Sequence, residues 1–171
     1  MGAFRRQQIG VAVGMAVGLV ATLAGFLWPH LPSVPQETGG RLGFWLGCSS
    51  IAASCLLVAI ARLARHRFFS PDDIEGGGVT ANSHLATLLQ TLIQNTLEQL
   101  ILAIPIYGAW LWLAPADRRG LVLVYTCFFV LGRLLFFAGY SRGARARALG
   151  FTLTFYPTVA LYLGLLAFVF R

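Results

Sequence analysis

Residues 88–110 read LLQTLIQNTLEQLILAIPIYGAW, and the fold turns on how that stretch is taken. It is apolar enough to cross a bilayer, yet it holds Gln90, Gln94, Asn95, Glu98 and Gln99. On a helix, offsets of 3, 4, 7, 8 and 11 share one face. Counted from Thr87, they fall on Gln90, Thr91, Gln94, Asn95 and Glu98, with Leu88, Leu89, Leu92, Ile93, Leu97, Leu100 and Ile101 between them. The polarity is a stripe on a membrane helix, and such a face must look into protein or water. Gln90, Thr91 and Gln94 suit hydrogen bonds between helices, worth about 0.6–2 kcal/mol each. A carboxylate at mid-membrane costs several kcal/mol unless it is paired or protonated, so Glu98 calls for a partner or a function. Pro105 interrupts the hydrogen-bond ladder and predicts a kink toward the far end.

The rest of the chain agrees with a membrane location. Of its 171 residues, 57% are hydrophobic and 11% charged, where soluble domains carry about 25% charge. Five segments have the roughly 20 apolar residues that a spanning helix needs: 9–28, 42–61, 85–114, 121–140 and 151–170. The expected fold is an all-α integral membrane protein. Pro/Gly-rich residues 29–40, a polar loop over 62–84 and short joins at 115–120 and 141–150 connect the spans. The net charge of +7 comes from arginine alone, with no lysine. These arginines cluster between the spans, which fits topology and anionic headgroups rather than nucleic acid. Arg5, Arg6, Arg62, Arg65, Arg67, Arg142, Arg145 and Arg147 fall on one side; Arg41, Arg118, Arg119 and Arg171 fall on the other. That bias predicts a cytoplasmic N-terminus.

The first span begins like a signal peptide, but no small-x-small cleavage site follows Trp28, so it reads as retained. Gly10, Gly14 and Gly18 on it, and Gly43 and Gly47 on the second span, suit close helix packing. Cys48 and Cys55 are roughly 10 Å apart by helical rise, too far for a disulfide, and read as packing. His30, His66 and His84 have no metal-ligand spacing. Asp72, Asp73 and Glu75 read as a flexible acidic turn, and Gly76, Gly77 and Gly78 lack phosphate-loop context. Trp28, Trp45, Trp110 and Trp112 lie near span ends and read as interfacial belt residues.

A second polar group lies at the fourth span, GRLLFFAGYSRGARARALG (residues 132–150). Arg133, Tyr140 and Arg147 stand at seven-residue steps, one face if the helix continues past Tyr140, and Phe136 shares it. Helical rise puts Arg133 within roughly 6 Å of Glu98 in depth, so an Arg133–Glu98 contact, within a subunit or between subunits, is expected. The plain alternative makes Arg142, Arg145 and Arg147 a solvated turn and Tyr140 an interfacial anchor. Together a carboxylate, an amide, a phenol and several guanidinium groups suit a small zwitterionic ligand. Thr152, Thr154 and Tyr156 on the fifth span are expected to pack beside it, and Pro157 to bend that span.

QNTLEQ (94–99), followed by GRLLFFAGYSRGARARALGF (132–151), resembles the MAPEG family, the membrane-associated proteins in eicosanoid and glutathione metabolism. RFFSPDDIEG (67–76) is similar to the loop of bacterial members. The resemblance implies a four-helix domain over residues 42–171, preceded by an added helix and linker over 1–41. It also implies a homotrimer in the bacterial inner membrane, with glutathione between subunits near the cytoplasmic face and a lipophilic substrate entering from the bilayer. By the same resemblance, Arg147 and Tyr140 are catalytic, Arg147 stabilising the thiolate. Gln94, Asn95, Glu98, Arg133 and Arg142 hold the ligand, Glu98 receiving the peptide's amino group and arginines its carboxylates. No metal is implied. Two positions depart from the pattern: Thr91 stands where glutathione-using members often have Arg, and Phe136 where many have Tyr.

The first function expected is therefore a glutathione S-transferase or peroxidase acting on lipophilic electrophiles. The second is a non-catalytic member that binds lipid or a partner. A transporter using Glu98 as a cation site ranks third, since no inverted repeat or selectivity motif is present.

Overall fold

A computed structural model describes residues 2–76 and 83–170. Gly77, Gly78 and Arg171, each weighed above, lie outside the described residues. The described chain forms five long helices: α1 (Ala3–Leu27), α2 (Thr38–Phe69), α3 (His84–Leu113), α4 (Leu121–Gly139) and α5 (Ala144–Val169). All five are long and apolar enough to cross a membrane. The protein is an all-α, multi-pass integral membrane protein.

Several boundaries differ from the sequence reading: α1 starts at Ala3 rather than at residue 9, and α2 at Thr38 rather than at residue 42. Helix α2 runs on to Phe69, through residues assigned above to the polar loop. Its charged last turns carry it out of the bilayer, because Arg-rich sequence remains helix-forming in water and no breaker precedes Pro71. Helix α4 stops at Gly139, so the expected continuation past Tyr140 does not occur. A 3₁₀ turn over Tyr140–Arg142 leads to Gly143 at φ 93° and ψ −179°, a conformation open essentially to glycine alone, and α5 starts at Ala144. Arg147 therefore belongs to α5.

Glycines set the closest helix contacts. Gly132, Gly139 and Gly150 bring α4 and α5 together antiparallel: a Cβ on Gly132 would lie 2.8 Å from the Gly150 carbonyl oxygen. The Gly10, Gly14, Gly18 series of α1 packs on α5 in parallel, facing Arg145, Ala148 and Thr152 in turn. Thr152 Oγ1 donates to the Gly14 carbonyl at 3.2 Å, and Tyr125 Oη to the Thr22 carbonyl at 2.9 Å, pinning α1 to the bundle. Gly43 and Gly47 behave differently: no atom lies within 4 Å of a Cβ built on either, so in this subunit they pack on nothing.

The main core centres on Tyr107, Trp110, Tyr125, Phe129 and Leu161. Trp110 is fully buried and donates Nε1 to the Arg118 carbonyl at 2.9 Å, so it is a core residue rather than a belt residue. Trp45 donates to the Ile104 carbonyl at 2.9 Å. Cys48 and Cys55 are buried free thiols, as read.

Asp73 is not part of a flexible turn. It is fully buried and ties the end of α2 to the start of α3. Its carboxylate accepts from the Ser83 N–H at 2.8 Å, Ser83 Oγ at 2.7 Å and Ser70 Oγ at 2.9 Å, and lies 2.8 Å from His66 Nε2. The Ser83 amide above all, then the hydroxyls, hold its carboxyl well below the usual carboxylate range.

Candidate functional site

At the end of the bundle where α1 and α5 begin, a groove of about 630 Å³ opens between α1, α3, α4 and α5. Its polar lining comes from Thr91, Asn95, Tyr140, Arg147, Thr152 and Tyr156. Apolar side chains supply the remainder, and no acidic residue lines it. The hairpin turn accounts for the meeting of Tyr140 and Arg147. Gly143 reverses the chain, and the first turn of α5 lays the Arg147 guanidinium 4.5 Å from the centre of the Tyr140 ring.

Behind this pair the contacts form a ladder. The Tyr140 ring meets Phe136 edge-on at 5.3 Å, and Phe136 in turn lies 4.5 Å from the Arg133 guanidinium. Arg133 itself is fully buried. It donates Nη1 to Asn95 Oδ1 and Nη2 to Thr154 Oγ1, both at 2.7 Å, while Nε has no hydrogen-bond partner among the described residues. Among the described residues no carboxylate pairs with it.

This geometry gives Asn95 a fixed orientation. A guanidinium can only donate, so the Asn95 oxygen must face Arg133 and its NH₂ must face away. Asn95 is half-buried and lines the groove, so the free end of the amide is a donor there. Arg133 is thus a positioning residue, reaching the groove through Asn95 and the Phe136 ring.

The expected Arg133–Glu98 contact is not formed within the subunit. Asn95 and Glu98 are three residues apart, which turns them about 60° around the helix. Asn95 meets α4, whereas Glu98 is exposed on the outer face of α3, its Oε1 accepting from Gln94 Nε2 at 3.0 Å. Within the subunit Arg133 is fully buried, with its guanidinium turned to Asn95 and Thr154. The polar stripe therefore divides. Asn95 and Thr91 line the groove, while Gln90, Gln94 and Glu98 look out of the subunit. Arg142 is exposed on the 3₁₀ turn and does not line the groove.

Of the sequence candidates, the groove thus unites Asn95, Tyr140 and Arg147 and leaves Gln94, Glu98, Arg133 and Arg142 outside its lining. Thr152 and Tyr156 face it as expected, while Thr154 lies behind it on Arg133. Both departing positions, Thr91 and Phe136, are wall residues. The sequence reading missed Val11 and Met15 of α1. Their signal was present: each lies one residue past a glycine of the packing series. Among the described residues, no group of three His, Cys, Asp or Glu could hold a metal ion.

Five helices able to span a membrane, four of which line a groove with a cationic end, define a helical membrane protein with an intrabundle groove. The chain belongs to the MAPEG family, whose model matches residues 42–167. No curated protein and no solved structure matches it. Helix α1 lies outside the matched segment.

Proposed function

We propose that the chain is a membrane-embedded transferase or peroxidase that presents glutathione, or a similar small thiol, to lipophilic electrophiles in this groove. The observation that carries the reading is Arg147, a guanidinium in a largely apolar groove that contains no carboxylate. A free thiol with a pKa of about 8.5 is mostly protonated at neutral pH, and a nearby guanidinium favours its thiolate. The thiolate sulfur then bonds to an electrophilic carbon, and the leaving group departs with its electron pair. Toward a hydroperoxide, two thiols become one disulfide, and the peroxide becomes an alcohol and water. Tyr140 and the Asn95 amide supply further donors for carboxylates or for the developing charge.

Membership of the family supports glutathione as cosubstrate, with no metal, and a homotrimer. The outward stripe of Gln90, Gln94 and Glu98 supports assembly as well. Within a bilayer these groups need a protein partner, and a neighbouring subunit covers them. Glu98 then meets the ligand's amino group across that interface. The arginine bias supports a cytoplasmic position for this end, and the likeness of the 67–76 loop to bacterial members supports a bacterial inner membrane.

Thiol-transferase and hydroperoxide assays on the purified protein test the proposal. Arg147→Ala is expected to lose about 10²-fold in rate, the scale of one preorganised charge-stabilising donor. Glu98→Gln is expected to raise KM for the thiol. Equal activity of Arg147→Ala and parent would reject the mechanism. A second reading, a lipid- or partner-binding member without catalysis, is favoured by Thr91 and Phe136, which leave the groove without a guanidinium and a phenol. Unchanged thermal stability in millimolar glutathione would select it, since a ligand of the native state stabilises that state.

A further inference from the structure

Helix α1 lies outside the family-matched segment, yet it supplies one wall of the groove through Val11 and Met15. Its position is set by more than apolar contact. Gly10, Gly14 and Gly18 seat it against Arg145, Ala148 and Thr152, and Arg118 Nη1 donates to the Phe26 carbonyl at 3.1 Å near its far end. Because α1 and α5 run parallel, that register sets Val11 close to the level of Arg147 and Met15 one turn deeper, near Phe151. Phe151 and Phe155 stack at 5.5 Å along the groove, and Phe155 also lines a second groove of about 390 Å³ that runs past Ile101, Pro105 and Tyr162. Arg147 thus stands at one end of the first groove, and mainly apolar side chains of α1 and α5 line it away from that end.

We propose that α1 is a specificity element: Val11 and Met15 form the wall along which the lipophilic part of an anionic amphiphile lies once its charged end meets Arg147. The proposal rests on the groove being the binding site inferred above. The absence of any acidic lining residue fits the anionic end, and the second, apolar groove that shares Phe155 offers surface for a chain longer than the first groove. Helix α1 therefore limits the bulk of the lipophilic part and keeps it from leaving sideways into lipid.

The test uses the full chain in phosphatidylcholine nanodiscs. Binding is measured for S-methyl-, S-hexyl- and S-decylglutathione, and for methyl-, hexyl- and decylphosphonate. For the parent, affinity is expected to rise at least about tenfold from methyl to decyl, each buried methylene contributing up to about fourfold. Met15→Trp should shrink that rise to within about threefold while leaving the methyl compounds nearly unchanged, since it fills the groove one turn deeper than the cationic end; Val11→Trp, at the level of Arg147, should shrink the rise as far and weaken the methyl compounds as well. Leu19→Trp, which adds the same bulk on an exposed part of α1, should behave like the parent. Collapse of the chain-length effect in either series supports the wall. If the phosphonates alone show it and the glutathione conjugates do not bind, the wall stands and the thiol reading falls. If the conjugates bind and their chain-length effect is untouched by both tryptophans, the wall is overturned and the site reading survives. If the parent binds neither series, both are overturned.

Discussion

Asn95 offers a perturbation that separates holding the bundle together from binding a ligand. Asn95→Leu leaves Arg133 Nη1 without its 2.7 Å acceptor inside the bundle. A hydrogen bond to a charged group contributes about 1.5–3 kcal/mol, and losing it strands a buried donor. For a chain of this length that predicts a melting temperature lower by about 3–12 °C. Asn95→Asp has the opposite character. Its carboxylate accepts from Arg133, giving the buried guanidinium the counter-charge it lacks, so stability should match or exceed the parent's. Yet the substitution removes the NH₂ donor from the groove and sets a negative charge beside the site of an anionic ligand. Affinity for S-hexylglutathione should fall about tenfold or more, on the scale of a charge-assisted bond. Thermal unfolding in detergent and ligand titration of the same three preparations suffice. If Asn95→Asp loses as much stability as Asn95→Leu, or binds the anion as well as the parent, the assignment of the amide's two ends is wrong.

Other outcomes follow from single features. The carboxyl of Asp73 is held low in the folded chain, so its stabilising effect is complete above the ordinary carboxylate pKa of about 3.9 and fades as pH falls below it. Melting temperatures recorded from pH 6 to pH 2.5 should drop more steeply for the parent than for Asp73→Asn, which starts lower. Gly143→Ala meets no atom within 4 Å, so its cost is backbone strain alone, about 1–3 kcal/mol, seen as a melting temperature lower by a few degrees. Phe136→Tyr and Thr91→Arg each add a polar group to a wall of the groove; together they should raise affinity for glutathione about tenfold in a calorimetric titration.

The spans were legible because their signal is composition over a long window: α3 and α4 match their expected limits to within a residue. Ends that leave the bilayer were not, since Arg62–Phe69 is as good a helix in water as the apolar run before it. The break at Gly143 was misread for a local reason. Arg133, Tyr140 and Arg147 fit a helical period, and only the positive φ of one glycine ends it. Tyr140 and Arg147 nevertheless meet, because the hairpin folds them together; a continuing helix would share them on one face but hold them about 10 Å apart. The pairing of Arg133 was predicted from depth alone. Depth cannot distinguish Asn95 from Glu98, whereas the rotation of α3 against α4 does, and that rotation is a property of packing. The same applies to α1: its glycines announced close packing, but not that α5 was the partner or that Val11 and Met15 would reach the groove.

The central claim is that a small anionic thiol compound sits between Asn95, Tyr140 and Arg147. A density map of the nanodisc-embedded protein with S-hexylglutathione tests it directly. The account predicts three subunits, a carboxylate or the sulfur within hydrogen-bond reach of Arg147, and the hexyl chain beside Met15. A map with this groove vacant and the compound bound elsewhere, at a concentration that saturates binding, would contradict it.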